Sequence, residues 1–141
     1  MKIKIAEAPE QVIDFLVAKC EGEKYGPPTF RVHQNSKGAT VYLNAGMQQS
    51  GIPYRPSADW AQGGPIIERE MIDLRKVYSN GRPSTNPYDC WKAEIVFRDE
   101  KLVAGDFFAY GPTPLIAAMR GYVASRLGNE VEVPKELVCT S

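Results

Sequence analysis

Hydrophobic positions recur at two different spacings along this chain, and the change of spacing sets helices at the ends and strands between them. Val12, Ile13, Leu16 and Val17 return at the three-and-four interval of one helical face, which predicts a helix over about Pro9 to Cys20. Pro9 suits the first helical turn, where its missing N–H costs nothing. Glu10 complements the positive end of the dipole, and Gly22 supplies a stop. TFRVHQ (Thr29 to Gln34) and ATVYLN (Ala39 to Asn44) carry β-branched and aromatic residues in partial alternation around a polar turn at Asn35 to Gly38. That pattern predicts a β-hairpin. Asn44 to Ser57, rich in Gly, Gln, Pro and Ser, has no sustained period and reads as irregular.

Beyond Pro65 the two periods conflict. Ile66, Ile67, Met71, Leu74 and Val77 fit one helical face, but Glu70 falls inside that arc. The expectation is a helical turn at about Pro65 to Glu70, then a strand from Met71 to Tyr78. Ser79 to Tyr88 is a loop by composition. Cys90 to Arg98 is the clearest strand, with Trp91, Ala93, Ile95 and Phe97 on one face. Asp99-Glu100-Lys101 turns it into a partner strand, Leu102 to Tyr110, where Gly105 is a weak point or bulge. In the last helix Thr113 is the cap, Pro114 takes the first position and Gly128 ends it. Leu115, Ile116, Met119, Tyr122, Val123 and Leu127 share one face. The opposite face, Ala118, Gly121, Ala124 and Ser125, is nearly all small. It either packs inside the fold or forms a homo-oligomer contact. Glu130 to Glu136 is charged and extended, a tail that docks or frays. The sum is one α+β domain over residues 1–141. It has a small antiparallel sheet of about four to five strands, with an N-terminal and a C-terminal helix packed on one face.

Composition mainly excludes. A chain of 141 residues can bury a core without staples. Seventeen basic residues against seventeen acidic ones argue against strong non-specific attraction to DNA or anionic membrane. MKIKIAEAPEQ reaches Glu7 and Glu10 before any long apolar run, so it is not a signal peptide, and no run approaches the roughly twenty apolar residues that span a bilayer. The expected location is the cytoplasm. Cys20, Cys90 and Cys139 are odd in number and far apart, giving neither a disulfide framework nor a zinc pair. His33, the only histidine, lies on an alternating segment as a solvent-facing strand residue. No catalytic residue, metal ligand or cofactor is expected.

The most particular stretch is Asp59 to Glu70, DWAQGGPIIERE. Glu68 and Glu70, with Asp59 and Asp73 nearby, compete as two things: a carboxylate site for a hard cation or acid–base work, and a solvated edge with Arg69 and Arg75 as partners. On a strand the two glutamates would share a face; on a helix they diverge. Gly63-Gly64-Pro65 reads as a tight turn, since it lacks the Lys and Ser/Thr of a P-loop and the spacing of GxGxxG. Trp60 either anchors in its own core or, with Tyr54 and Arg55, stacks a base or grips a peptide. Ser57, Thr113 and Cys20 are potential nucleophiles without an identifiable base. The candidate binding surface is therefore Asp59, Trp60, Gly63, Gly64, Glu68 and Arg69.

Three stretches together resemble the small phage and prophage proteins called NinX-like, a family of unknown function. They are AKCEG (Ala18 to Gly22), PSADWAQGGPIIERE (Pro56 to Glu70) and GPTPLIAAMRGYVASRLGNEVEVPKEL (Gly111 to Leu137). Ile72 to Tyr110, with its proline-containing Ser79 to Tyr88 loop, is the poorly matched part. The resemblance implies a bacteriophage-derived gene expressed in a bacterial cytoplasm and brings no substrate, cofactor or catalytic residue. The reading at this point is a non-enzymatic accessory protein that binds a host or phage macromolecule. The alternatives are a small-ligand or metal-dependent enzyme using Asp59, Glu68 and Glu70, and a weak nucleic-acid-binding module. The helix–strands–helix order is analogous to the double-stranded-RNA-binding fold, but GPTPLIAAMR lacks the basic start its last helix needs.

Overall fold

The computed structural model describes residues 1–22, 29–32, 39–43, 52–86, 90–98 and 104–138. Its chain opens with strand β1 (Lys2–Lys4) and a 3-10 turn at Ile5–Glu7, then helix α1 (Glu10–Cys20). Strands β2 (Thr29–Val32), β3 (Ala39–Leu43) and β4 (Ile52–Pro53) precede helix α2 (Trp60–Arg69). Strands β5 (Asp73–Lys76), β6 (Tyr78–Ser79), β7 (Arg82–Pro83), β8 (Trp91–Arg98) and β9 (Ala104–Gly111) lead to helix α3 (Pro114–Leu127). Strand β10 (Glu130–Glu132) and helix α4 (Lys135–Val138) follow. The class is α+β. The described strands form several small antiparallel sheets rather than one: β1–β10, β2–β3–β4, β5–β8–β9 and β6–β7.

Both outer helices form where the hydrophobic spacing places them. Val12, Ile13, Leu16 and Val17 are buried on α1. The Thr113 side chain caps α3 by accepting from Ile116 N–H at 3.1 Å, with Pro114 at its start and Gly128 at its end. The small-residue face of α3 is covered by the chain's own sheet. A β-carbon at Gly121 would lie 3.4–3.7 Å from Ile95, Ala109 and Ala93 side chains, and Ala118 and Ala124 are buried. Ala118, Gly121 and Ala124 thus pack inside the fold, with Ser125 left partly exposed at its edge. Helix α3 rests on β8 and β9, and α1 packs on α3 and β3.

Four expectations change. Helix α2 begins at Trp60, so Gly63-Gly64-Pro65 lies inside a helix and is not a turn before one. The Asp59 cap and the burial of Ile66 outweigh the poor helix propensity of that triplet. The following strand starts late because Met71 turns left-handed, with φ 51°. Its N–H reaches Glu68 O at 3.3 Å and Ile72 N–H reaches Ile67 O at 3.0 Å, the two bonds of a Schellman stop. Within the expected Ser79–Tyr88 loop, Asn80 and Gly81 both have positive φ, the two-residue turn that closes the β6–β7 hairpin. Gly105 pairs with Phe97 in unbroken register, so there is no bulge. The acidic tail docks: β10 pairs with β1, and Val131, Val133 and Leu137 join the core. His33, Cys139, the 35–38 turn and the 99–101 turn lie outside the described residues.

Candidate functional site

The two ends of α2 separate the expected binding surface into two sites. At its start, Asp59 Oδ1 accepts from Ala61 N–H at 2.9 Å. Gln62 ties the preceding corner to this turn: Nε2 donates to Pro53 O at 2.9 Å and Oε1 accepts from Arg55 N–H at 2.6 Å. Ser57 N–H donates to the buried Asp14 Oδ1 at 2.9 Å. Burial pushes the Asp14 carboxyl up to about 7. The Ser57 amide and its nearby hydroxyl oppose that shift, although Oγ makes no well-aligned hydrogen bond of its own. Gly63 sits directly against the Pro56 carbonyl and Leu115. The corner is thus rigid, and Trp60 stands on it 55% exposed. The expectation that Trp60 anchors in its own core fails, because it projects about a quarter-turn from the stripe through Gly63 and Ile66. Beside it a cleft of about 460 Å³ is lined by Pro53, Arg55, Ala58, Asp59 and Gln62.

At the other end, the last turns of α1, α2 and α3 meet. Arg69 Nη2 pairs with Glu21 Oε1 at 2.6 Å, and Arg69 Nε with Glu70 Oε1 at 3.1 Å. Arg126 Nη2 reaches Glu70 Oε1 at 2.8 Å. Tyr122 OH donates to Glu21 Oε1 and accepts from Arg69 Nη2, both at 3.3 Å, beneath both guanidinium groups. Each helix carries a basic residue in its last turn, Lys19, Arg69 or Arg126, where the dipole is negative. A cleft of about 510 Å³ opens above them. Glu21 holds the Arg69 guanidinium above its ordinary pKa, and burial pushes Tyr122 up to about 12. Cys20, on the same cleft, is pushed by burial up to about 11, the opposite of what an activated thiol needs.

Arg69 is therefore a half-exposed clamp between helix ends, placed at the far end of α2 from Trp60. Glu68 is exposed, Glu70 is paired, and Asp73 pairs with Arg75 at 3.0 Å. Glu68 and Glu70 diverge along the helix, and Glu70 and Asp73 pair with Arg69 and Arg75, the arginines of the solvated-edge reading. Among the described residues, no group of three or more His, Cys, Asp or Glu could hold a metal ion. Gly64 has open space around it. The sequence reading missed Glu21, Tyr122 and Arg126. Their signal, one base in the last turn of each helix, was visible but said nothing of the helices' convergence.

The three stretches that carry the family resemblance contribute Lys19 to Glu21, Arg69 and Glu70, and Tyr122 to Leu127 to this junction. A model of the family described as Bacteriophage P22, NinX matches residues 4–126, a span that includes the poorly resembling Ile72 to Tyr110. No curated protein matches the chain.

Proposed function

The chain belongs to the NinX family of bacteriophage P22, and from that premise we propose that it is a non-enzymatic accessory protein that binds a partner protein in the cytoplasm of the bacterial host. What supports this most is an indole left 55% exposed on a rigid, capped helix start. Tryptophan and arginine are the side chains most often found as interface anchors, and Arg55 lies exposed in the same corner. A partner gains the burial of one large ring without having to order it first. The carboxylate-enzyme alternative draws no such support. Asp59 is occupied in capping, and Glu68 stands about two and a half helical turns away. No helix among the described residues is long and apolar enough to cross a membrane.

Affinity capture from phage-infected lysate tests the reading. Trp60→Ala should retain the wild-type unfolding curve while a specific co-purifying protein is lost. Undiminished recovery of that protein by the folded variant would sink the proposal.

A further inference from the structure

Arg120 carries a charge that no carboxylate answers among the described residues. Its Nη1 donates to Tyr110 O and its Nη2 to Ala8 O, both at 2.9 Å, and its Nε is buried without a partner. Neither Glu7 nor Glu130, on the adjoining turn and strand, pairs with it. A guanidinium stays protonated even when burial disfavours its charge, so the positive charge persists here. It lines a cleft of about 320 Å³ between α3, the edge of β9 and the 3-10 turn. Ile5, Ala6 and Ala124 form apolar walls, while Phe108 (49% exposed) and Tyr110 (45% exposed) stand at the mouth. Lys92 Nζ, 4.2 Å from the Phe108 ring centroid, holds that ring in place.

We propose that this cleft binds a small aromatic carboxylate, with Arg120 meeting the carboxylate and Phe108 and Tyr110 flanking the ring. The volume lies at the small end of ligand pockets, which run from about 300 to 1,000 Å³, enough for a single-ring acid. Beyond their bonds to Tyr110 O and Ala8 O, Nη1 and Nη2 each keep one N–H, and these two, not the buried Nε, are what a carboxylate would meet. Arg120 is the only cation among the lining residues, which favours a monoanion over a phosphate dianion. The apolar walls suit a ring, and Asn129 and Tyr110 are the polar residues beside Arg120 in the lining.

The test is an amide chemical-shift titration of the whole chain with phenylacetate and 4-hydroxyphenylacetate, against neutral phenylacetamide. Saturable shifts are expected at Ala6, Ala109 and Ala124, with the neutral amide at least about tenfold weaker because it lacks the charge-assisted bond. Phe108→Ala, at an exposed position, should weaken the acids several-fold. Arg120→Lys should weaken them too, since it keeps the charge and loses the fork. Equal binding of acid and amide, shifts confined to other surfaces, or no saturation at the solubility limit would overturn the proposal. Shifts produced only by a short peptide ending in a free phenylalanine carboxylate would overturn the small-molecule assignment.

Discussion

A methyl group at Gly63 would run into the Pro56 carbonyl oxygen and Leu115, whereas one at Gly64 would meet nothing within 4 Å. Gly63→Ala should therefore destabilise the fold by about 2 kcal/mol or more, since backbone must shift to admit it. Gly64→Ala should stabilise it by about 0.5–1 kcal/mol through helix propensity. Denaturant unfolding of the two variants checks both signs. Asp14 gives a second residue-scale test. Its folded pKa of about 7 lies above the ordinary 3.8, with burial the main cause. The folded chain thus holds this proton more tightly than the unfolded one. That contribution is fully present below about pH 4 and is lost as pH rises through 7. It amounts to on the order of 4 kcal/mol at most. Stability should fall across that window, and Asp14→Asn, which keeps an oxygen for the Ser57 N–H, should flatten the fall. An unchanged slope in the Asn variant would contradict the assignment.

Elements meet here by their ends as much as by their faces. Arg69→Ala removes the guanidinium that joins α1 to α2 and leaves Glu21, its side chain only 12% exposed, without its cation. The expected cost is about 1–2 kcal/mol, discounted because Arg69 itself is half exposed. Glu68→Ala, on the open face of the same helix, should change stability by less than about 0.5 kcal/mol. Urea unfolding midpoints distinguish the two. Helix α3 was legible because apolar spacing, cap and stop agree with one another, and α1 because its apolar spacing agrees with Pro9 and Glu10 at its start. Helix α2 was half-legible: its glycines and proline argue locally against a helix, and what stabilises it is Ile66 buried against distant residues. The Asn80-Gly81 hairpin was legible in principle, from its turn dipeptide, but Pro83 and Pro87 just after it made the region read as a loop.

For the molecule as a whole, the two ends of the described chain close on each other. Ile3 faces Val131 in the β1–β10 ladder, and the Met1 ammonium pairs with Glu132 at 3.0 Å. A three-residue strand and a charged tail give no sequence period long enough to predict that pairing. Long-range convergence was equally hidden: nothing in the spacing of Glu21, Arg69 and Arg126 reveals one junction. The Asp59 to Glu70 string divides between surface and fold: Gly63 and Ile66 are buried and pack the helix, while Asp59 and Trp60 stand exposed at its start and Glu68 and Arg69 at its far end. The central claim is that the corner at its start meets a protein partner. Replacing Trp60 with a photo-cross-linking amino acid in infected cells tests it most directly. A discrete adduct with one phage or host protein is expected, absent when the cross-linker sits at Glu68. No adduct at position 60, or the same adduct from both positions, would contradict the claim.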